Sequence, residues 1–315
     1  MNNTHSETFY NRYIVENAKQ HLGIDMMRFL MFKEGKFINP MKKNEILQQY
    51  IKEELDNFYN KKLLNIPEIE FCITTKCTLQ CKDCCALIPQ LDKTKRSEMN
   101  FSDFKLYFDK FSAAVDTIRL LVMIGGEPLM NPELPQMLEY AAENNKIDFI
   151  KIITNGTMLP NSNLLNTLKK YNKKIYLYIS NYSCNPELKN LIKHEKLLEL
   201  LDENQIKHQK VDEWVWLEEH GFSKAAFPEN ITKDKFKNCF RTKCTQIING
   251  KLDICSKATA GRELNMFEDD SIDIINTTNL RNDLIEFYSK EYLKACEYCI
   301  LCDTKVSPAL QINNK

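Results

Sequence analysis

The segment Cys77-Thr78-Leu79-Gln80-Cys81-Lys82-Asp83-Cys84 places three cysteines at the spacing Cys-x3-Cys-x2-Cys. Such a short loop can direct three thiolates at one metal centre, and thiolates are the usual ligands of iron–sulfur clusters. Three thiolates hold three irons of a [4Fe–4S] cluster and leave the fourth iron without a protein ligand. An open coordination position is typical of a reactive metal centre rather than a structural one.

A zinc site is the alternative for the same loop. Structural zinc sites use four ligands, mostly Cys and His, so this interpretation needs a fourth ligand at a matching spacing. Cys85 adjoins the third cysteine and Cys72 lies upstream, so the sequence leaves the zinc alternative open.

A glycine pair follows a predicted strand further along the chain. Gly125-Gly126-Glu127-Pro128 comes directly after the apolar run at residues 117–124, which is typical of a strand. The chain has only 8 glycines, so an adjacent pair at a strand end is not explained by composition. Glycine lets the backbone approach a ligand closely, whereas a plain turn after the strand is the structural alternative.

With both motifs the sequence resembles the radical S-adenosylmethionine (SAM) enzymes. In that family the loop binds a [4Fe–4S] cluster whose free iron chelates the amino and carboxylate groups of SAM. Reductive cleavage of SAM then gives a 5′-deoxyadenosyl radical, which abstracts a hydrogen atom from the substrate. The resemblance implies that the ligands of this cluster are Cys77, Cys81 and Cys84. It also implies contact with the methionine moiety of SAM by Gly125, Gly126 and Glu127.

The same resemblance assigns further SAM contacts at the ends of later strands. Ser180 and Asn181 lie where the family contacts the ribose and the carboxylate, as does Asn155. The family usually has an aromatic residue before the third cysteine, and this chain has Asp83. That departure concerns the side-chain contact to the adenine and not the cluster.

Composition excludes several classes of function. The net charge is +0 and the pI is ≈ 6.9, so the chain has no electrostatic pattern of general nucleic-acid binding. No apolar run approaches the roughly 18 residues of a membrane span, and residues 1–9 lack a signal-peptide pattern. Twelve cysteines without an export signal favour metal binding over disulfides. We therefore expect a cytoplasmic protein without membrane contact.

Strand-like and helix-like segments alternate from residue 67 onward, which predicts an α/β fold with a parallel sheet. The candidate strands are residues 69–73, 118–124, 149–154, 175–180 and 206–211. The helical patterns include residues 102–114, 133–143 and 162–170. We expect a partial (β/α) barrel of the radical SAM type.

The sequence motifs all follow predicted strands. The cysteine loop follows the first strand, the glycine pair the second, Asn155 the third and Ser180-Asn181 the fourth. Chemistry in such barrels collects at the carboxyl ends of the strands. We therefore expect the four features to lie on one face of the sheet.

Three parts are expected along the chain. Residues 1–65 form a helical N-terminal extension, with a helical pattern at 41–60, that packs on the outside of the barrel. Residues 66–237 form the partial barrel, and residues 238–315 form a small Cys-rich domain. Residues 222–236 are interpreted as a connecting segment. Trp214 and Trp216 alternate along the chain, a pattern more typical of core than of a substrate platform.

Half of the cysteines lie in the last quarter of the chain: Cys239, Cys244, Cys255, Cys296, Cys299 and Cys302. Asn249-Gly250 between two short apolar runs predicts a β-hairpin. This hairpin would bring Cys239 or Cys244 close to Cys255, and the Cys-x2-Cys loop adds two thiolates. Zinc and a second iron–sulfur cluster both satisfy that set of four.

The spacing Cys-x10-Gly-x4-Cys, followed by Cys-x2-Cys, resembles the SPASM/twitch subgroup of radical SAM enzymes. Those proteins carry one (twitch) or two (SPASM) auxiliary [4Fe–4S] clusters in a C-terminal domain. Six cysteines are too few for two clusters held by cysteine alone. The resemblance implies one auxiliary cluster on Cys239, Cys255, Cys296 and Cys299, with Cys244 and Cys302 as alternates.

The resemblance therefore implies an enzyme that reductively cleaves SAM and abstracts a substrate hydrogen. We expect it to oxidise or modify a peptide or a carbohydrate-type small molecule, with a low-potential electron donor such as flavodoxin or ferredoxin. Two alternatives stay open. One is an activating enzyme of the glycyl-radical type, and the other is a non-catalytic iron–sulfur or zinc module for electron transfer or binding.

Overall fold

The computed structural model describes residues 10–11, 13–15, 43–212, 216–239, 241 and 244–312, and the structural statements below concern these residues. The strands are β1 (Asn65–Thr74), β2 (Thr117–Gly125), β3 (Ile147–Thr154), β4 (Ile175–Asn181), β5 (His208–Asp212), β6 (Trp216–Leu217), β7 (Gln246–Ile248), β8 (Lys251–Asp253), β9 (Ile272–Asp273) and β10 (Lys305–Val306). The helices are α1 (Lys43–Tyr59), α2 (Phe101–Ala114), α3 (Leu134–Glu143), α4 (Ser162–Lys170), α5 (His194–Glu203), α6 (Glu229–Asn238), α7 (Ser256–Glu263), α8 (Leu280–Ser289) and α9 (Lys294–Tyr298). None of these helices is long and apolar enough to cross a membrane.

One open sheet contains most of the strands, in the order β5-β4-β3-β2-β1-β7-β8-β9. Strands β1 to β5 pair in parallel, with α2, α3, α4 and α5 in the connections. The five predicted strands and three predicted helices are confirmed, with ends displaced by a few residues. The mostly parallel α/β sheet agrees with the expected partial barrel, and its edge strands β5 and β9 do not close it.

Strand β1 lies at the centre of this sheet and is buried along its whole length. Its side chains alternate between two faces, as in any strand. Phe71 belongs to the main hydrophobic core, where its ring centroid lies 5.4 Å from that of Phe104 on α2. Glu68 and Glu70 point to the opposite face, which is the concave interior of the partial barrel. Burial and the neighbouring Glu68 raise the pKa of Glu70 to about 8.

The C-terminal hairpin extends the same sheet. Strand β7 pairs in parallel with the free side of β1 and in antiparallel with β8, so the predicted hairpin is confirmed. Gln246 Nε2 donates to Glu70 Oε2 over 2.9 Å and partners that buried carboxyl group. The predicted boundary between residues 237 and 238 therefore does not separate two sheets, because β7 completes the hydrogen bonding of β1.

The prediction of a plain connecting segment at residues 222–236 is wrong for its second half. Helix α6 begins at Glu229 and buries Thr232 and Phe236. Its sequence contains five lysines or acidic residues and only two large apolar ones, so the apolar period was too weak to indicate a helix.

The N-terminal segment contributes to the main core. Tyr10, Tyr13 and Ile14 are fully buried there, and Tyr10 Oη donates to the carbonyl of Asn65 over 3.0 Å. These residues therefore lie against β1 on the same side of the sheet as Phe71, opposite the concave interior. Helix α1 confirms the predicted helical pattern, apart from its first residues, which lie outside the described part of the chain.

A buried ion pair attaches α1 to the sheet. Glu54 on α1 is 2% exposed and accepts from Arg119 Nη2 on β2 over 2.7 Å. Arg119 also reaches Asp148 Oδ2 on β3 over 2.9 Å. The guanidinium group thus supplies the positive charge for a carboxylate that is almost completely withdrawn from water.

Replacing Arg119 by Met should destabilise the protein by about 3 kcal/mol, because Glu54 would be left buried without a cation. Chemical denaturation measures the loss. Arg281→Met is the matched control, since Arg281 and Asp116 form a pair in which both side chains are about one third exposed. That exposed pair should cost about 1 kcal/mol or less. Equal losses would contradict the importance of burial at Glu54.

Candidate functional site

The first cysteine loop opens onto a large cleft at the carboxyl ends of the strands. Cys77, Cys81 and Cys84 all line this cleft, which has a volume of about 510 Å³. Gly125, Gly126, Asn155 and Ser180 line it as well. The expectation that the motifs after β1 to β4 meet on one face is therefore confirmed for these residues.

The thiols of this loop are withdrawn from water. Burial raises the pKa of Cys77 and Cys84, and raises that of Cys81 to about 12. A buried thiol stays protonated unless a bound metal displaces its proton. The backbone N–H of Leu79 points at Cys77 Sγ over 3.4 Å, and Gln311 Nε2 points at Cys81 Sγ over 3.4 Å. These donors favour sulfur that carries negative charge, as in a metal-bound thiolate.

The spacing of the thiols bears on whether the loop suits an iron–sulfur cluster or a single zinc ion. Ligands around one tetrahedral zinc, with Zn–S near 2.3 Å, lie only about 4 Å apart. Among the described residues, two groups bring three possible ligand atoms within 4.8 Å of one another, and neither includes a cysteine of this loop. In the described structure the three thiols therefore do not form a compact site for one zinc ion.

The glycine pair packs against the cysteine loop itself. A Cβ on Gly125 would lie 2.2 Å from the carbonyl oxygen of Thr74. A Cβ on Gly126 would lie 2.2 Å from the carbonyl oxygen of Lys76 and 2.8 Å from Cys77 Cβ. The backbone N–H of Gly126 donates to Thr74 O over 2.8 Å. Glycine is therefore required here because the backbone of the glycine pair packs closely against the segment at residues 74–77. This requirement is independent of any ligand that the glycines contact.

Glu127 joins the ends of two strands. Its carboxylate is fully buried and accepts hydrogen bonds from Thr154 Oγ1 over 2.8 Å, Asn155 N over 2.8 Å and Leu129 N over 3.1 Å. Burial raises the pKa of Glu127 to about 7, although these three hydrogen bonds act in the opposite direction and lower it. Of the predicted SAM contacts on this segment, the two glycines line the cleft and the Glu127 side chain is directed at β3.

Asn155 reaches the cysteine loop from β3. Its Nδ2 donates to Thr78 Oγ1 over 3.1 Å and lies 3.7 Å from Cys77 Sγ. Its Oδ1 accepts from the backbone of Thr157 over 3.0 Å. Glu127 therefore fixes the Asn155 backbone, and Asn155 in turn holds the loop that carries the first cysteine.

The two residues at the end of β4 have different surroundings. Ser180 lines the cleft. The Asn181 side chain donates to Asp212 at the end of β5 and accepts from Ser183 N over 3.1 Å. Asn181 therefore orders the chain after β4, and Ser180 is the member of the pair that faces the cleft.

Several cleft residues have no signal in the motifs. Tyr182 and Trp216 form a perpendicular aromatic pair with centroids 5.4 Å apart, and both line the cleft with Arg241 and Gln246. Trp216 also packs against the small apolar cluster that contains Leu79, Leu188 and Ala309, so it combines core packing with a place on the cleft wall. Trp214 lies outside the described residues.

The segment Ala309–Gln311 (written below as the clamp) holds the cysteine loop from the opposite side. Gln80 N donates to Gln311 Oε1 over 2.8 Å, and Lys82 N donates to the carbonyl of Leu310 over 2.7 Å. Nothing in the local sequence at either segment indicates this contact.

Asp83 occupies the position before the third cysteine. It is buried and lines the cleft. Its Oδ1 accepts from the backbone N–H of Glu219 over 3.2 Å, and Oδ2 has no hydrogen-bond partner among the described residues. An acceptor therefore stands where the family usually has an aromatic ring.

A second cysteine site lies in a separate, small apolar cavity. Its walls include Cys239, Cys255, Cys296 and Cys299, the four residues chosen from the sequence, together with Phe222 and Ile254. The alternates lie elsewhere. Cys244 is grouped with Glu68 and Glu70, and Cys302 with Glu218 and His220.

The elements around this cavity favour bound thiolates. Cys255 precedes α7, whose backbone N–H at Ala258 points at Cys255 Sγ over 3.4 Å; a helix N-terminus stabilises negative charge. Burial raises the pKa of Cys255 and of Cys296. Lys235 Nζ donates to the carbonyl of Cys299 over 2.8 Å. None of the four thiols belongs to a described group compact enough for a single zinc ion.

A buried ion triad lies between the two cysteine sites. Glu219 pairs with Arg241 and, over 2.9 Å, with Lys257. Arg241 lines both cavities, Glu219 lines the cleft, and Lys257 lines the cavity of the second cysteine site. Charged groups rather than open solvent therefore separate the two sites.

Residues 71–208 match the model of the Radical SAM superfamily. Curated relatives are named GTP 3′,8-cyclase. The protein of Desulforamulus reducens is 30% identical over 122 residues, which is 37% of this chain and 33% of that protein. The protein of Clostridium acetobutylicum is 30% identical over 99 residues, 30% of this chain and 29% of that protein. The chain thus spans about a third of the length of these relatives.

Solved structures similar to the chain have low sequence identity to it. BtrN, solved with AdoMet and 2-DOIA, has 14% identity and a TM-score of 0.46, over 78% of this chain and 98% of that one. SuiB of Streptococcus suis, solved with S-adenosylmethionine, has 16% identity and a TM-score of 0.44, over 85% and 76%. A radical SAM domain implies a [4Fe–4S] cluster and SAM as cofactors, and the buried thiols of the first loop fit such a cluster.

Replacing Gly126 by Ala should reduce the iron held by the first loop as well as SAM binding, because the new Cβ would collide with the backbone of Lys76. If Gly126 were needed only to let SAM approach the backbone, the substitution would weaken SAM binding and leave the iron content unchanged. Iron analysis and SAM binding on anaerobically prepared protein measure the two effects. Full iron content with lost SAM binding would contradict the packing role.

Proposed function

We propose that this chain is a radical SAM enzyme that cleaves SAM reductively and removes a hydrogen atom from its substrate. The observation that carries the proposal is the cleft at the strand ends. Three buried thiols line it together with the glycine pair and Ser180, inside the matched domain. A non-catalytic module has no need for an open cleft beside a metal site with three ligands.

Cys77, Cys81 and Cys84 would hold the cluster at the cleft. When bound there, the cluster supplies the electron that cleaves SAM to methionine and a 5′-deoxyadenosyl radical. The chain's own groups would position SAM: the backbone at Gly125 and Gly126, and the hydroxyl of Ser180. Trp216 and Tyr182 close one side of the cleft and would exclude water from the reacting atoms.

Cys239, Cys255, Cys296 and Cys299 would hold an auxiliary [4Fe–4S] cluster in a twitch-like C-terminal region of residues 238–315. Such a cluster accepts an electron in an oxidation or anchors the substrate. The mostly apolar lining of the cavity supports this assignment, because an apolar shell limits the access of water to a cluster, and Lys257 and Lys235 offset its negative charge.

The substrate is proposed to be a peptide or a carbohydrate-type molecule. The cleft offers aromatic walls and polar groups such as Gln246 and Asp83. Relatives named GTP 3′,8-cyclase raise the alternative of a nucleoside triphosphate, which needs several cationic contacts. Among the described residues lining the cleft, Arg241 is the one cation, and it is paired with Glu219. Reduced flavodoxin or ferredoxin in the cytoplasm would supply the electron.

The triple variant Cys77/Cys81/Cys84→Ala tests the proposed function. Anaerobically prepared protein should hold roughly eight irons, and the variant should retain roughly four. It should form no 5′-deoxyadenosine from SAM with dithionite or reduced flavodoxin. Cys184→Ala is the control, since Cys184 is exposed and lines neither site, and it should behave as the parent. Unchanged iron and unchanged cleavage in the triple variant would refute the assignment.

The double variant Cys296→Ala/Cys299→Ala tests the auxiliary site. It should lose roughly four irons yet still form 5′-deoxyadenosine, because the cleft site alone performs that cleavage. Conversion of the substrate should stop, since the electron acceptor or substrate anchor is gone. Retention of all the iron would show that other groups ligate the second cluster.

A further inference from the structure

We propose that Glu218, His220 and Cys302 bind one zinc ion at a third, mononuclear site. Their ligand atoms, a carboxylate oxygen, an imidazole nitrogen and a thiol sulfur, all lie within 4.8 Å of one another. Neither cysteine site described above has this property. Cys302 lies outside the cavity of the second site, so the earlier assignments leave its thiol without a function.

Strand pairing explains why the three residues meet. Strands β6 and β10 pair in antiparallel, with Leu217 opposite Lys305, and Glu218 N donates to the carbonyl of Thr304 over 2.9 Å. The two segments stay adjacent as far as the bridge between Phe222 and Cys299, where the register has shifted by one residue. His220 and Cys302 therefore lie between two points at which the segments are in contact.

The ligand set has the chemistry of a zinc site. Zinc takes Cys sulfur, His nitrogen and carboxylate oxygen, with bond lengths of about 2.0 to 2.3 Å. The 3.5 Å between His220 Nε2 and Glu218 Oε2 matches the spacing of two such ligands on one tetrahedral ion. One thiolate and one carboxylate balance the charge of Zn²⁺. The partial exposure of all three side chains leaves the fourth position to water.

A surface ion pair between His220 and Glu218 accounts for less of the arrangement. It explains the imidazole and the carboxylate but not the thiol on the opposite strand. The backbone N–H of Thr304 points at Cys302 Sγ over 3.3 Å, which favours charge on that sulfur. A metal ion is the single partner that uses all three groups.

Zinc at this position would hold together the paired segments 216–222 and 299–306, which connect the two cysteine sites. At one end of this pair of segments, Trp216 and Leu217 line the cleft. At the other end Phe222 bridges to Cys299, and both line the second cavity. A cross-strand metal ion would therefore hold the wall of the cleft at a constant position relative to the second site, and its function is structural.

Metal analysis tests the proposal on full-length protein prepared anaerobically. We expect about one zinc per chain in addition to the iron. Cys302→Ser and His220→Ala should each lose this zinc and keep the iron content of the parent, which also shows that they fold. Cys184→Ser, which removes an exposed thiol elsewhere, should keep the zinc. Cobalt(II) added to zinc-depleted protein should give a thiolate-to-cobalt charge-transfer band that is absent in Cys302→Ser.

Three results would overturn the proposal. The first is a parent protein that binds neither zinc nor cobalt at about one ion per chain. The second is zinc retained in both site variants, which would place the ion elsewhere. The third is a loss of roughly four irons in Cys302→Ser, which would make Cys302 a ligand of the auxiliary cluster. None of these outcomes bears on the cleavage of SAM, so the proposed function is tested separately.

Discussion

The pairing of β1 on both sides is the constraint on which the two cysteine sites depend. On one side β2 brings the glycine pair to the loop after β1, where Gly126 N meets Thr74 O at 2.8 Å. On the other side β7 leads through the hairpin to Cys255. A parallel strand fully enclosed by neighbours cannot shift its register without breaking both ladders. The two sites are therefore held relative to each other by backbone hydrogen bonds.

This arrangement buries two carboxyl groups of β1 in the concave interior of the sheet. Glu68 and Glu70 on β1 are buried, and a buried charge is tolerated only with partners. Lys151 lies 3.8 Å from Glu68, and Gln246 donates to Glu70. The hairpin thus does more than extend the sheet, because it supplies a partner without which the carboxyl group of Glu70 would oppose docking.

Sequence patterns predicted the parts of the fold that depend on local chemistry. Apolar runs indicated the parallel strands, Asn249-Gly250 indicated the hairpin, and cysteine spacing grouped the cysteines that line each of the two sites. Contacts between distant segments were not predictable in this way. Gln311 meets the first loop across some 230 residues, and Trp216 lines the cleft because of where β6 lies. Helix α6 was missed because lysines and acidic residues obscure its apolar period.

The clamp has a consequence for the order in which the protein matures. Residues 77–84 are synthesised long before residues 309–311, and the later segment supplies the N–H donor to Cys81 Sγ and the acceptors for the backbone N–H groups of Gln80 and Lys82. On a growing chain these thiols therefore stay unclamped while the whole barrel and the second cysteine site emerge. Enclosure of the first site is a late step, and delivery of iron and sulfide to its open loop can precede the closing of the clamp.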